Sequence, residues 1–342
     1  MFPQLEMDLI MHYNVKISKT MKTKIYFWYL YRCFKTLESE GTITLTEIES
    51  PFFEEPHYET VFINDYPVFF DLRDDFTVDK KLDDYTKDYL LLKANFSTEL
   101  WALAKQNRYP EGFEYRLRDW EIEMQPHIKA FALGRMFKIP WNSNEIKQFK
   151  PVIDTCKWKI TSLCGAGILK QQTITRLHLY DLINSVFSDQ TKLMFWDRNH
   201  LQTKEKQQIN GYDYYLKKYP RDIESGGYKE YLQFLSQGEY SLNVAGIALS
   251  TPFRFVDSIM IGRNIITTKV WHDVYCGFPA VQLPICGYLG TGDWQQAEAI
   301  LRDLNSYNKA DMLNKARCWY SWNLSYLGMW KNQILNNLEG KI

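Results

Sequence analysis

The stretch from residue 240 to residue 284 constrains the fold most, because it holds a strand, a loop, a helix and a strand in order. An apolar run at 240–244 predicts the first strand. Ser250-Thr251-Pro252 predicts a helix start, since Ser or Thr caps a first turn and Pro is tolerated at its first position. Gly262 is expected to end that helix, and a second strand follows at 264–268. The stretch therefore predicts a parallel βαβ unit.

The start of this helix carries side chains that can bind an anion. Arg254 and Asp257 are three residues apart, so they share one face near the positive end of the helix. Free backbone N–H groups and an arginine suit a diphosphate, and a carboxylate one turn later suits the hydroxyls of a ribose. A second interpretation stays open, in which Arg254 and Asp257 form a surface ion pair. Ser250 and Thr251 would then only cap the helix.

This segment resembles the donor-binding segment of GT-B glycosyltransferases, above all the exostosin-like and bacterial polysaccharide enzymes. Their pattern is roughly G…(S/P)…R-x-x-E-A…G-x-x-(P)-V-I. This chain has Gly246, then Arg254-Phe255-Val256-Asp257-Ser258, then Gly262-Arg263-Asn264-Ile265-Ile266. It departs from the pattern at Asp257, where the family has Glu, and at Ser258, where the family has Ala.

The resemblance implies a set of donor-binding residues in the second half of the chain. A predicted strand at 157–163 is followed by a glycine loop and a helix, and GT-B proteins open their donor domain in this way. The alternative is a plain tight turn with a surface arginine. The set that the resemblance implies comprises Gly165, Gly167, Arg176, Gly246, Ser250, Thr251, Phe253, Arg254 and Asp257.

The first half also contains the elements of a Rossmann-like crossover. Residues 24–29 predict a buried strand, residues 32–40 a short helix capped by Gly41, and residues 42–48 an alternating strand. The preceding residues, 1–20, are expected to form a leader that includes disordered residues.

Three carboxylates are the candidates for a catalytic base. Two further strands, joined by an Asn64-Asp65 turn, are predicted to end near Asp71 and Asp74. Open α/β sheets bind ligands at strand carboxyl ends, and an inverting sugar transfer needs a base near the acceptor hydroxyl. Asp71 is the first choice, followed by Asp74 and Glu54. The alternative is an acidic, solvated loop without a catalytic role.

The predicted fold class is α/β, with two Rossmann-like domains that face a cleft, as in GT-B proteins. The expected units are the leader, an acceptor-side domain at 21–145, a donor domain at 150–310 and a helical tail at 311–342. The resemblance implies that this aromatic tail crosses back to the first domain. Core packing and a membrane-surface helix are the alternatives.

Charge and cysteine content restrict the partners. Lys+Arg and Asp+Glu both number 41, so the basic excess of a nucleic-acid-binding protein is absent. The six cysteines are dispersed without a CxxC pair, which argues against a zinc site and fits a reducing compartment. Without a predicted signal peptide or membrane span, we expect a cytoplasmic protein, with at most weak peripheral contact at the inner face of a membrane.

The resemblance implies a glycosyltransferase that moves sugar from a nucleotide-sugar donor to a glycan, a lipid-linked acceptor or another hydroxyl acceptor. It implies synthesis of a surface polysaccharide or glycoconjugate, with no metal and no cofactor besides the donor. Two alternatives stay open: a non-catalytic nucleotide- or glycan-binding protein, and another nucleotide-dependent enzyme such as an epimerase. The missing G-x-G-x-x-G argues against a dehydrogenase. His272, just past a predicted strand, is interpreted as an exposed histidine without a role.

Overall fold

The computed structural model describes residues 12–49, 55–73, 77–83, 85, 88–110, 113, 116–132, 156–167, 169–197, 201–223, 227–246 and 253–342. Within these ranges the chain forms two α/β halves, each built on a sheet of mainly parallel strands. The predicted fold class is therefore confirmed. The predicted domain boundary at 145–150 lies outside the described residues, as do residues 1–11 of the predicted leader.

The first half is built on a six-stranded sheet with the order β2-β1-β3-β4-β5-β6. Its strands are β1 Tyr13–Ser18, β2 Ile43–Ile48, β3 Tyr58–Ile63, β4 Tyr66–Asp71, β5 Leu90–Lys93 and β6 Ile128–Ala130. Only β3 runs against the others. The predicted turn joins β3 to β4, and Asn64 and Asp65 adopt φ values of 48° and 66° there. Two consecutive positive φ values are typical of the tight turns that match the twist of a hairpin.

The helices of the first half are α1 Trp28–Ser39, α2 Thr98–Lys105 and α3 Asp119–Glu123. The strand predicted at 24–29 is wrong, because Ile25–Phe27 form a 3-10 turn that leads into α1. The buried residues Phe27, Leu30, Phe34 and Leu37 recur every three or four positions, which is the period of a helix. The strand of the crossover is β1, which lies in the predicted leader and buries Val15 and Ile17.

The second half is built on a five-stranded sheet, all parallel, with the order β11-β10-β9-β7-β8. Its strands are β7 Trp158–Gly165, β8 Thr191–Trp196, β9 Gly238–Asn243, β10 Asn264–Thr268 and β11 Val281–Leu283. Its helices are α4 Lys170–Phe187, α5 Thr203–Gln207, α6 Tyr212–Lys218, α7 Tyr228–Leu235, α8 Phe253–Met260 and α9 Trp294–Arg302. The predicted βαβ unit is confirmed as β9, α8 and β10, and Gly262 after α8 has a φ of 69°.

The tail returns to the first half, as the resemblance implied. Helix α10, Lys309–Asn323, is followed by α11, Tyr326–Gly328, a π-helical turn at Met329–Ile334 and a 3-10 turn at Leu335–Asn337. The hydroxyl of Tyr29 on α1 donates to the carbonyl of Leu324. The tail residues that complete the core of the first half are Leu324, Met329, Trp330, Ile334 and Leu338. The tail is therefore part of the first half in space.

An apolar seam joins the two halves. Trp271 and Tyr288 of the second half pack in one cluster with Phe96 and Trp101 of the first half. Their rings are buried, and burial of apolar surface is the main favourable term in such contacts. We use the name seam for this cluster and for the loops that follow β5 and β10.

Polar contacts fix the seam loops to each other. The backbone N–H of Asp273 donates to the carbonyl of Phe96 at 3.1 Å. The Thr98 N–H, at the start of α2, donates to both carboxylate oxygens of Asp273, at 2.9 and 3.1 Å. These loops follow the carboxyl ends of β5 and β10, so the carboxyl edges of the two sheets face each other. Among the described residues, no helix combines the length and hydrophobicity that a bilayer crossing requires.

Candidate functional site

The strand order of the second sheet reverses between β7 and β9, which makes this a topological switch point. Open α/β sheets bind ligands outside the carboxyl ends of their strands at such a switch point. Here β7 ends in Gly165-Ala166-Gly167, and β9 is followed by Val244-Ala245-Gly246. The glycines predicted at the donor site therefore lie on the two sides of this switch point, and we call the region between the two loops the switch-point crevice.

Arg176 braces the two strand ends. Its Nη1 donates to the Gly165 carbonyl at 2.6 Å and its Nη2 to the Ala245 carbonyl at 3.5 Å. The side chain is only 6% exposed. The structure thus places this predicted donor-binding residue inside the fold, where it hydrogen-bonds to both loops and adds a positive charge beneath the crevice.

Gln172 is a crevice residue that no pattern in the sequence indicates. Its Nε2 donates to the Ala245 carbonyl at 3.3 Å. A Cβ on Gly167 would lie 2.1 Å from Gln172 Oε1, so any larger residue here would require the Gln172 side chain to move. Gln172 is buried, and its Oε1 accepts no hydrogen bond from the described residues. The backbone N–H of Gly167 donates to Thr173 Oγ1 at 2.9 Å.

Arg254 lies in the first turn of α8 and is partly exposed. Its Nε is buried and has no hydrogen-bond partner among the described residues. Asp257 follows one turn later, is only 6% exposed and accepts a hydrogen bond from the Tyr228 hydroxyl of α7. Because Asp257 is buried, the surface ion pair considered from the sequence does not describe it. Ser250 and Thr251 lie outside the described residues, and the backbone of Phe253 begins α8.

The charge of Arg254 acts on buried groups at the end of β7. Burial lowers the pKa of Arg254, but Cys164, Tyr231, Tyr180 and Asp257 outweigh it and raise that pKa. Burial likewise raises the pKa of the Cys164 thiol, yet Arg254 and Arg176 bring it below its ordinary value. Two guanidinium groups therefore give the crevice a positive potential.

Further polar side chains border this region. Asn243, the last residue of β9, is buried, and its Nδ2 donates weakly to Ser258 Oγ of α8 at 3.4 Å. Its Oδ1 accepts no hydrogen bond within the described part of the chain. On α7, Tyr228 and Tyr231 are three residues apart and so share the face that meets α8. The spacing of the two tyrosines is visible in the sequence, but their position beside Arg254 is not.

Asp71 lies at the predicted strand end, but its carboxylate is committed to ion pairs. Lys93 Nζ donates to it at 2.7 Å, and Arg73 donates from Nε at 3.2 Å and from Nη2 at 3.1 Å. Burial raises the pKa of Asp71, but Lys93 and Arg73 outweigh burial and lower it. As a base, Asp71 would have to release one of these cations first. The other two candidates, Asp74 and Glu54, lie outside the described residues.

His272 lies in the seam, and the interpretation of an exposed histidine is wrong. The side chain is 1% exposed, on the loop after β10. Burial, assisted by the charge of Lys93, lowers the pKa of His272 to about 3. The imidazole is therefore neutral at physiological pH. Nothing in the sequence around His272 indicates that the loop of the other half covers it.

The first half has an open cavity of about 630 Å³ beside the seam. It lies between β6, α2 and α3, and Phe96 and Ile128 contribute apolar surface. Its charged lining residues are Lys105, Glu123, Lys129 and Asp273. In the described part of the chain, no group of three or more His, Cys, Asp or Glu side chains could hold a metal ion.

No protein-family model matches the sequence, and no curated protein sequence matches it. Solved structures do resemble the chain. The N-terminal domain of Candida albicans trehalose-6-phosphate phosphatase has a TM-score of 0.41 and 10% identity, over 63% of this chain and 50% of that chain. The chain thus spans about half the length of that structure.

Two other similar structures are named as transferases. WaaG, a glycosyltransferase involved in lipopolysaccharide biosynthesis, has a TM-score of 0.39 and 11% identity, over 92% of this chain and 96% of that chain. The pneumococcal O-GlcNAc transferase GtfA, in complex with UDP and GlcNAc, has a TM-score of 0.37 and 12% identity, over 73% of this chain and 45% of that chain. In this chain itself, the two α/β halves, the facing carboxyl edges and the returning tail are the features that the GT-B resemblance predicted.

Proposed function

We propose that this protein is a glycosyltransferase that binds a nucleotide-sugar donor in the switch-point crevice and transfers the sugar to a hydroxyl acceptor. One observation carries the proposal. Arg254 has a buried Nε without a partner among the described residues at the point where an open α/β sheet binds its ligand, and Arg176 adds positive charge there. A diphosphate matches that charge and that hydrogen-bonding need.

The proposed donor lies with its diphosphate against Arg254 and its ribose against Asp257. The first-turn N–H groups of α8 and the Arg254 guanidinium neutralise the phosphates, so no metal ion is included in the proposal. Gly165, Gly167 and Gly246 leave room for close approach of the donor. Asp257 would exchange the hydroxyl of Tyr228 for a ribose hydroxyl. Ser250, Thr251 and Phe253 stay in the proposal as donor contacts.

In this proposal the acceptor binds on the side of the first half, where the open cavity lies beside the seam. A glycan or a lipid-linked sugar is the proposed acceptor, with the enzyme in the cytoplasm or at the inner face of a membrane. Asp71 stays the first candidate for the base, with Asp74 and Glu54 behind it. Because Asp71 forms ion pairs with Lys93 and Arg73, acceptor binding would have to displace one of these cations.

A second candidate function is favoured by the same ion pairs. A carboxylate already held by two cations is a poor base, because protonation must compete with both of them. The second candidate is therefore a non-catalytic nucleotide- or glycan-binding protein that uses the switch-point crevice for binding alone.

Titration calorimetry with UDP, ADP, GDP, CDP and dTDP tests the binding site. We expect Arg254→Ala to lower the affinity for the tightest-binding of these nucleoside diphosphates roughly ten- to a hundredfold. The reason is that an arginine–phosphate contact is among the strong hydrogen bonds. Asp257→Asn should have a smaller effect, since the amide can still bond one hydroxyl. Arg302→Ala is the control, because Arg302 is exposed on α9 and bonds only to Glu298 among described residues. Unchanged affinity in Arg254→Ala would contradict the proposed site.

Release of nucleoside diphosphate from the matching nucleotide sugars then separates the two candidate functions. Turnover in the wild type, with or without an added acceptor, supports the transferase. Tight binding without any turnover across a panel of sugars and hydroxyl acceptors supports the binding protein.

A further inference from the structure

Helices α7 and α8 present two matched faces to each other beside the switch-point crevice. Tyr228 and Tyr231 share one face of α7, and Arg254 and Asp257 share one face of α8. The hydrogen bond from the Tyr228 hydroxyl to Asp257 joins these faces. One of the two tyrosines is therefore committed to Asp257, and the other is the subject of the inference.

Tyr231 has a buried hydroxyl that makes no hydrogen bond with the described residues. Its ring packs against an apolar cluster that includes Leu232 and Ile261. A buried hydroxyl without a partner costs stability, and native proteins retain few such groups. This hydroxyl therefore calls for an explanation that the apolar packing of its ring does not supply.

The groups around this hydroxyl are of the kind that bind an anion. Arg254 Nε is also buried and unpaired within the described ranges, and the charge of Arg254 acts on Tyr231. Burial holds the pKa of Tyr231 well above its ordinary value, and Asp257 adds to that effect. The hydroxyl therefore stays protonated and can donate. Two donors that lack partners among the described residues, one of them on a guanidinium, suit an acceptor that carries negative charge.

We propose that the Tyr231 hydroxyl is a further ligand-binding group of the switch-point crevice, which donates to the same diphosphate as Arg254. The inference rests on the proposed function, since the ligand is the diphosphate of the nucleotide-sugar donor. It adds a residue on α7 to a site that is otherwise formed by α8 and by the loops after β7 and β9.

Tyr231→Phe tests the inference, because it removes one hydroxyl and keeps the ring. We expect about a tenfold loss of affinity, by calorimetry, for whichever of UDP, ADP, GDP, CDP and dTDP the wild type binds tightest. The ligand-free variant should melt at the same temperature as the wild type or higher, since an unpaired buried hydroxyl is lost. Tyr212→Phe is the matched control. It removes a buried hydroxyl in the same half whose charged neighbours are Asp197 and Asp213, and it should leave affinity unchanged.

A double-mutant cycle with Arg254→Ala tests the shared ligand group. If Tyr231 and Arg254 hold one diphosphate, their effects on affinity should not add, because residues that share a partner are coupled. Wild-type affinity in Tyr231→Phe, or fully additive effects in the double variant, would overturn the inference.

The same titrations separate this inference from the proposed function. If the wild type binds none of the five nucleoside diphosphates, the proposed function and the inference are both wrong. If Arg254→Ala loses affinity and Tyr231→Phe does not, the donor site stands and the role of Tyr231 alone is wrong.

Discussion

At the scale of single residues, Asp71 shows how a carboxylate at a strand end can be used to stabilise the fold. The sequence places Asp71 where ligands bind in open sheets, and that position is correct. Arg73 is a local partner, but Lys93 belongs to β5 and follows 22 residues later. A local pattern of acidic residues gives no indication of such partners.

Asp71→Asn should lower the free energy of unfolding by about 3–5 kcal/mol, because it removes the buried carboxylate that pairs with both Lys93 and Arg73. Urea denaturation at neutral pH measures this change. Asp222→Asn, which removes an exposed ion pair with Lys192, should cost no more than about 1 kcal/mol. A stable Asp71→Asn protein without activity would instead support the catalytic assignment.

At the scale of elements, the loops of the seam depend on a neutral His272. Its pKa in the folded state is about 3, well below the usual value of about 6.5 in an unfolded chain. As the pH falls through this window, the unfolded chain binds a proton that the folded protein does not bind. The part of the free energy of unfolding that depends on an unprotonated His272 is therefore fully present above about pH 6.5. It is lost as the pH falls toward 3.

His272→Gln should flatten this pH dependence. Chemical denaturation at a series of pH values from 7 to 4 gives the free energy of unfolding of both proteins. We expect the wild type to lose more stability than the variant over that range, because only the wild type carries this buried imidazole. Parallel curves would show that His272 is protonated in the folded protein as readily as in the unfolded chain.

The accuracy of the sequence predictions also varied by element. The unit from β9 to β10 was predicted correctly, because the apolar runs of its strands and the glycine that ends α8 are local signals that tertiary packing did not override. The start of α1 was predicted as a strand, because its aromatic and β-branched residues favour one. The burial of Phe27 and Leu30, three residues apart, required a helix. The environment of Tyr231 depends on how α7 meets α8, and no single segment encodes it.

At the scale of the whole molecule, the tail and the seam join the two halves into one unit. The tail contributes Trp330 to the core of the first half, where it contacts Tyr13 and Phe34. The seam joins the loops at the facing edges of the two sheets. Both connections join residues that are far apart in sequence. The two predicted domains are therefore held together by direct contacts and not only by the linker between them.

Two tryptophans of the tail give a direct test of this arrangement. Trp330→Ala should lower the free energy of unfolding by about 3–5 kcal/mol, because Trp330 is only 1% exposed in the core of the first half. Trp322→Ala, eight positions earlier and 62% exposed, should change it by less than about 0.5 kcal/mol. Urea denaturation followed by far-UV circular dichroism measures both. Equal effects would mean that the tail does not complete the first core.

The returning tail also determines when the first half can complete its folding during synthesis. Residues of the first half leave the ribosome early, but Tyr29 bonds to Leu324, 295 residues later. The nascent first half must wait, with the apolar surface for Trp330 and Ile334 uncovered, while the entire second half is translated. At the usual speed of about 5–20 residues per second, synthesis from Tyr29 to Leu324 takes on the order of 15–60 seconds. A holding chaperone that covers this surface should therefore raise the yield of soluble protein more than faster translation of the second half does.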